Sequence, residues 1–362
     1  MSDGIGRRKL DHLELCATGD VAFRGKSTLF DDVALVHDAL PELDAEALDT
    51  SCRLLGKVLR APIVIAAMTG GTAEAGRVNR ELAAVAEERG YGFGLGSQRA
   101  MHVKGGVTDT YRVRDVAPTA LVLGNLGAVQ AAKMSTEEVR ALIGEIGADA
   151  LCIHLNPAME LVQPGGDRDF RGCVEVLARL TRELDVPVVA QETGCGISAR
   201  TARKLRAAGV RHVDVSGAGG TSWVAVETHR AKEAGDEAAR TLGEALWDWG
   251  VPTAASVAIS ARTGLSTVIA TGGVTTGLDV AKAVALGATA AGIARPMLKA
   301  FTAGGRAGAL AYGAAVEAEL RAALLLTGSQ DLAALAAAPR VVGATLRAWI
   351  ESDPLPAAAI SR

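Results

Sequence analysis

From residue 61 onward, apolar residues fall into short runs separated by longer amphipathic stretches. The runs are Pro62–Ala67, Gly92–Gly96, Ala120–Gly124, Ala148–Ile153, Val186–Ala190, His212–Val215, Ser266–Ala270 and Ala290–Ile293. Each has the length and near-continuous apolarity of a strand buried on both faces. Between them, apolar positions recur at helical spacing over Ala73–Arg89, Thr136–Ile146, Asp169–Glu183, Ala199–Ala208 and Leu278–Leu286. Eight strands alternating with helices predict an α/β fold, a (β/α)8 TIM barrel. A doubly wound sheet is the alternative, but no GxGxxG follows the first strand. The longest gap, Thr221–Leu265, holds a charged helical stretch over Glu227–Leu246 and a further helix after Pro252.

The ends of the chain do not share this rhythm. Within residues 1–60, Lys9–Cys16 reads as a helix and Leu54–Leu59 as a small strand. From Met297 the chain is rich in Ala and Leu and helical in pattern, with breaks near Gly328 and Pro339. The expected organisation is an N-terminal extension over 1–60, a barrel over 61–296 and a helical tail over 297–362.

Composition narrows the choices. Of 362 residues, 49% are apolar and only 3% aromatic, so the core must be built from Ala, Val, Leu and Ile. A net charge of −3 gives no electrostatic case for a nucleic-acid partner. Five widely spaced cysteines, without a CxxC pair, argue against a disulfide framework or a thiolate zinc site. Cys152 and Cys173, in apolar surroundings, read as core thiols. The polar, basic start Met1–Lys9 is not followed by an apolar run, and no stretch is apolar enough to cross a membrane. The expectation is a cytoplasmic protein with no membrane partner.

In a barrel of this kind, chemistry comes from the C-terminal ends of the strands. Read in order, those ends are polar and glycine-rich: Met68-Thr69-Gly70-Gly71, Gly96-Ser97-Gln98-Arg99, Gly124-Asn125-Leu126-Gly127, His154 to Gln163, Gln191-Glu192-Thr193-Gly194, and Ser216 to Trp223. Any one is more often an ordinary turn than a site. Their agreement across six strands points to a site. After the last two strands come Thr271-Gly272-Gly273 and Ala294-Arg295-Pro296, where barrels commonly cradle a phosphate on backbone N–H groups. A cofactor with its phosphate there and a ring over the barrel mouth reaches Met68, Ser97 and Asn125. That description suits flavin mononucleotide (FMN).

With these motifs in this order, the chain resembles the type 2 isopentenyl diphosphate isomerases, flavin-dependent barrel enzymes. The resemblance runs from about Arg8 to Arg295, and its further marks are Arg8-Lys9 with His12, and His154-Leu155-Asn156-Pro157 followed by Glu160. It implies interconversion of isopentenyl and dimethylallyl diphosphate, a prenyl diphosphate substrate, reduced FMN, Mg²⁺, NADPH as a reductant, and a homo-oligomer. It also implies that Ala67, Met68, Thr69, Ser97, Asn125, Gln191, Ser216 and Thr221 line the flavin. Gly272, Gly273, Ala294 and Arg295 lie at its phosphate. Arg8, Lys9, His12, Ser97, Arg99, His154, Asn156 and Gln163 serve the substrate. Glu160 holds Mg²⁺.

Two departures from the family pattern fall at the chemical centre. Met159 stands where the family usually has Gln, and Gln191 where it usually has Lys. Met159, Glu160 and Gln191 are therefore the catalytic positions to watch. Met159 has no exchangeable proton and is a weak acceptor. A neutral Gln191 stabilises a flavin anion less than a Lys does. These departures keep open an alternative, an FMN-dependent oxidoreductase acting on a prenyl diphosphate or a related phosphorylated substrate.

Overall fold

The computed structural model describes residues 11–352, apart from Leu13, Thr18 and Gly105. Eight parallel strands close into a barrel: β1 (Ile63–Ile65), β2 (Gly92–Gly94), β3 (Leu121–Gly127), β4 (Ala150–Leu155), β5 (Val188–Glu192), β6 (His212–Asp214), β7 (Thr267–Thr271) and β8 (Ala290–Ile293). The predicted fold class is the observed one.

Strand boundaries differ from the expectation in an instructive way. β3, β4 and β5 run two or three residues further than their apolar runs, so Asn125, His154, Gln191 and Glu192 are strand residues rather than loop residues. The ladder continues because these side chains still alternate between barrel interior and helix layer. Gly127 pairs with His154, and His154 with Gln191. Inward positions on β3 read Leu121, Leu123, Asn125. On β4 they read Ala150, Cys152, His154. The barrel is thus apolar below and polar at its mouth.

The bottom is closed by a hairpin, Cys52–Leu54 with Lys57–Leu59, where a single strand was expected. Leu55 and Gly56 have positive φ (48° and 91°) and turn the chain. Leu54, Leu55 and Leu59 pack beneath Val64, Leu121, Leu123, Val189 and Ile269.

Helices cover the outside. Thr72 caps Ala73–Arg89, and Gly90 ends it in the left-handed region (φ 69°). Ser135 and Glu138 form a capping box on Thr136–Ile146. The long β6–β7 connection resolves into Trp223–Glu233, Glu237–Leu246 and Thr253–Arg262. The helix after β8 begins at Arg295 and extends to Leu326, with non-helical geometry at Gly304 and Gly305. It packs on Gly277–Ala285 and Ala73–Arg89, which makes it the barrel's own eighth helix. Beyond it the tail is not all helical: Arg340–Val342 pairs antiparallel with Val33–Leu35, which ties the two ends of the chain together. Among the described residues no helix is long and apolar enough to cross a membrane.

Candidate active site

The polar ends of the strands converge on one cavity of about 410 Å³ at the barrel mouth. Every described residue singled out above for substrate, cofactor or metal lines it. Arg8 and Lys9 lie outside the described residues. Two regions make up its wall, and they are built differently.

One region, at the ends of β6, β7 and β8, is mostly backbone. Gly272 and Gly273 have φ of 105° and 71°, which glycine adopts without strain. Space also demands glycine there. A β-carbon on Gly272 would overlap Gly217, and one on Gly220 would overlap the backbone of Gly273. The two loops touch main chain to main chain, close to Thr221. The helix starting at Arg295 follows Ala294, whose side chain supplies no cap, and this helix start lines the cavity through Ala294, Arg295, Pro296 and Leu298. Ser216 sits at φ 34°, an uncommon conformation for a residue with a side chain, right at the cavity wall.

The Arg295 guanidinium is occupied elsewhere. It donates to the carbonyls of Cys16 (2.9 Å) and Gly19 (2.6 Å), anchoring the N-terminal segment over the mouth. Residues 11, 12 and 14–17 are helical, as expected for Lys9–Cys16 within its described part. His12 lies 2.8 Å from the buried Glu227 carboxylate and edge-on to Trp223. Burial raises the Glu227 carboxyl, but His12 and Arg230 outweigh it and hold it below the usual range. Cys16 also faces the cavity, but burial pushes its thiol up to about 11, so it is no nucleophile at neutral pH.

The other region, at the ends of β3, β4 and β5, is made of side chains. Pro157 opens a short helix, Pro157–Val162, and so turns the chain away from β4. The turn brings Glu160 back under Asn156. The Glu160 carboxylate is 6% exposed. It accepts from Asn156 Nδ2 (2.9 Å), Gln163 Nε2 (3.2 Å) and the Asp167 N–H (2.8 Å). Asp167 is steadied in turn by Gln130 (2.7 Å). Met159 also lines the cavity, with its sulfur 3.9 Å from Asn156 Nδ2. Among the described residues no group of three or more His, Cys, Asp or Glu side chains converges to hold a metal.

Glu192 is also buried. One carboxylate oxygen accepts four backbone N–H groups, from Thr193 and Gly194 (2.7 Å each), Cys195, and Gly196 (3.1 Å). Burial nevertheless pushes its carboxyl up to about 7.

Sequence reading missed one member of the site. Asp214 lies below the cavity, 3% exposed, and accepts from Gln191 Nε2 at 2.7 Å. Gln191 in turn accepts from Asn125 (2.7 Å), and the other end of the Asn125 amide meets His154 Nδ1 (2.8 Å). Burial pushes the Asp214 carboxyl up to about 6. The available signal was a carboxylate inside the otherwise apolar run Val213-Asp214-Val215. Conversely, Gln98 and Gly70 serve the fold. Gln98 bonds Leu142 O (3.0 Å) and Asn125 N (3.0 Å), and a β-carbon on Gly70 would overlap the Tyr111 ring.

Comparison with known proteins gives the chain's family. Residues 2–112 and 158–341 match the family described as FMN-dependent dehydrogenase. An isopentenyl-diphosphate delta-isomerase of Methanosarcina acetivorans is 47% identical, covering 96% of this chain and 95% of its own. Those of Halobacterium salinarum (46%; 95% of each chain) and Pyrococcus furiosus (42%; 95% and 88%) are similar over the same extent. Among solved structures, a mandelate oxidase superposes with a TM-score of 0.63 at 18% identity, covering 91% of this chain and 95% of its own. That likeness shows a shared barrel. The chain belongs to the FMN-dependent dehydrogenase family, and within it to the type 2 isopentenyl-diphosphate delta-isomerases.

Proposed function

We propose that this chain interconverts isopentenyl diphosphate and dimethylallyl diphosphate in isoprenoid biosynthesis, using reduced FMN and Mg²⁺, with NADPH as reductant. The observation that carries this reading is the extent of the match: isomerases 42–47% identical align over 95–96% of the chain. The cavity's polarity suits such a substrate.

FMN fits the wall between β1 and β8. Thr69 lines it with a buried hydroxyl that has no partner among the described residues. Such a group calls for a hydrogen-bonding ligand. Ala67, Met68, Thr69, Ser97, Asn125, Gln191, Ser216 and Thr221 would face the cofactor. Gly272, Gly273 and the N–H groups following Ala294 would hold its phosphate. The Arg295 side chain would serve that end by fixing the N-terminal segment. Bound there, reduced FMN supplies an electron-rich ring and an exchangeable proton.

The substrate's diphosphate needs cations and donors. His12, Arg99, His154 and Asn156 offer them within one cavity, joined by Ser97 and Gln163, and Arg8 and Lys9 complete the set in this reading. Glu160 would share Mg²⁺ with diphosphate oxygens, since Mg²⁺ commonly takes one or two carboxylates plus phosphates. Asn156, Gln163 and the Asp167 N–H hold that carboxylate in place. Met159 takes no part in proton transfer and gives the hydrocarbon chain an apolar wall. The same reading makes the chain a cytoplasmic homo-oligomer.

Met159 also favours a second reading, an FMN oxidoreductase acting on a prenyl diphosphate or a related phosphorylated substrate. One experiment separates the two. The anaerobically reduced protein is incubated with isopentenyl diphosphate and Mg²⁺ in D₂O. Deuterated dimethylallyl diphosphate with no net change in flavin redox state is the expected result. Flavin oxidation in step with substrate conversion would replace the isomerase by the oxidoreductase.

A further inference from the structure

Three buried side chains and the half-buried His154 form a line of hydrogen bonds across the floor of the cavity: Asp214, Gln191, Asn125 and His154, on β6, β5, β3 and β4. The line has a direction. A carboxamide has a donor end and an acceptor end, so orienting one orients the next. The direction is fixed at Asp214. Its Oδ1 faces the backbone N–H of Ser216 (3.3 Å), a donor that cannot be turned round, and an ionised carboxylate only accepts. Gln191 therefore presents its amine to Asp214 and its carbonyl to Asn125. Asn125 presents its amine to Gln191 and its carbonyl to His154. A carbonyl cannot donate, so His154 Nδ1 must.

We propose that Asp214 is a positioning residue that acts through Gln191 and Asn125 to hold His154 as the Nδ1–H tautomer. The neutral ring then presents a lone pair at Nε2. Toward an anion it has one productive state, the imidazolium, in which Nε2 donates as well. Only this consequence rests on the isomerase reading.

The relay depends on Gln191. A lysine at 191 has donors only. Asn125 would then have to turn its carbonyl toward residue 191 and its amine toward His154, and the imidazole would carry its proton on Nε2. The departure from the family pattern at 191 thus reaches the ring of His154 by way of Asn125.

The test is ¹⁵N NMR of the FMN-loaded full chain, labelled at its six histidines. The His154 signals are assigned by their loss in His154→Gln. At a pH where the ring is neutral, the wild type should show a protonated Nδ1 and an unprotonated Nε2. Gln191→Lys should exchange the two. Asp214→Asn should do the same, because its carbonyl is drawn to Ser216 N–H and its amine to Gln191, which reverses each bond along the line. A wild-type ring protonated on Nε2 overturns the proposal with no variant needed. So does an unchanged Nδ1–H ring in whichever variant folds. No turnover is measured, so the isomerase function can fail without affecting this result.

Discussion

The two ends of the cavity, each proposed to hold an anion, are built by different means. The end at β6–β8 is backbone: Gly220, Gly272 and Gly273 pack loop against loop, and an uncapped helix start follows Ala294. The end at β3–β5 is side chains, each oriented by another: Glu160 by Asn156 and Gln163, His154 by Asn125, and Gln191 by Asp214. A backbone site loses shape when any β-carbon is added. A side-chain site keeps its shape under substitution but loses its chemistry. The substitutions below set these two failures against each other.

The largest effect belongs to Glu160. Glu160→Gln keeps the volume and the hydrogen-bonding reach, but it removes the carboxylate proposed to hold Mg²⁺. A bound metal supplies several kcal/mol of charge stabilisation, so the expected loss in kcat/KM for isopentenyl diphosphate is roughly 10²–10⁴-fold, with FMN still bound. Loss of FMN as well would mean that the two ends are not separate.

Gly272→Ala attacks the other end. At φ 105° the new side chain is strained, and it overlaps Gly217. Strain and overpacking together cost roughly 2–5 kcal/mol. The melting temperature should drop and FMN should wash out on gel filtration. A variant that retains both would show that the loops have slack and the glycines are not needed for contact.

The fold was largely legible in the sequence because the parallel barrel writes itself as apolar runs. The glycine end was legible for a related reason, since glycine pairs stand out in any chain. The site's side-chain end was legible as far as each residue sits at a recognisable strand end, as His154 does, or in the turn just after it, as Glu160 does. Asp214 was not, because it lies within the run His212–Val215, ahead of the polar stretch that begins at Ser216, and below the cavity. What reveals it is the closure of the barrel, which sets β6 beside β5 so that Gln191 pairs with Asp214. The strand Arg340–Val342 was hidden similarly. Its partner Val33–Leu35 is some three hundred residues away, and three residues carry no period of their own.

Asp214 and Glu192 give a pH test of the side-chain end. Burial raises both carboxyls, to about 6 and about 7, so the folded state binds more protons than the unfolded chain. Their destabilising effect is absent below the unfolded values near 4. It grows as pH rises and is complete above about 7. For Asp214 it amounts to about 2–3 kcal/mol at neutral pH. Glu227, held low by His12 and Arg230, works in the opposite sense and loses its contribution only as pH falls through its lowered value. The FMN-free protein should therefore melt higher near pH 5 than near pH 8. Asp214→Asn should flatten that slope. An Asp214→Asn protein with the wild-type pH profile would mean that the carboxylate is not penalised in its buried place.

The smallest effect expected is on the flavin itself, and it turns on Gln191. A lysine about 4 Å from an anionic ring contributes roughly 4 kcal/mol at an effective dielectric near 20. An amide donor to a charged partner contributes roughly 1.5–3 kcal/mol. The difference, about 1–2.5 kcal/mol, corresponds to about 20–50 mV for a two-electron couple. Gln191→Lys should raise the reduction potential by up to that amount. Asp214 works against the gain, because a lysine at 191 would meet a buried carboxylate and share its charge with it. Combining Gln191→Lys with Asp214→Asn releases that hold, so the double variant should have the higher potential of the two. Dye-linked redox titrations of the wild type and both variants measure the order. Equal potentials in wild type and Gln191→Lys would show that residue 191 governs the polar line to His154 and leaves the flavin's charge alone.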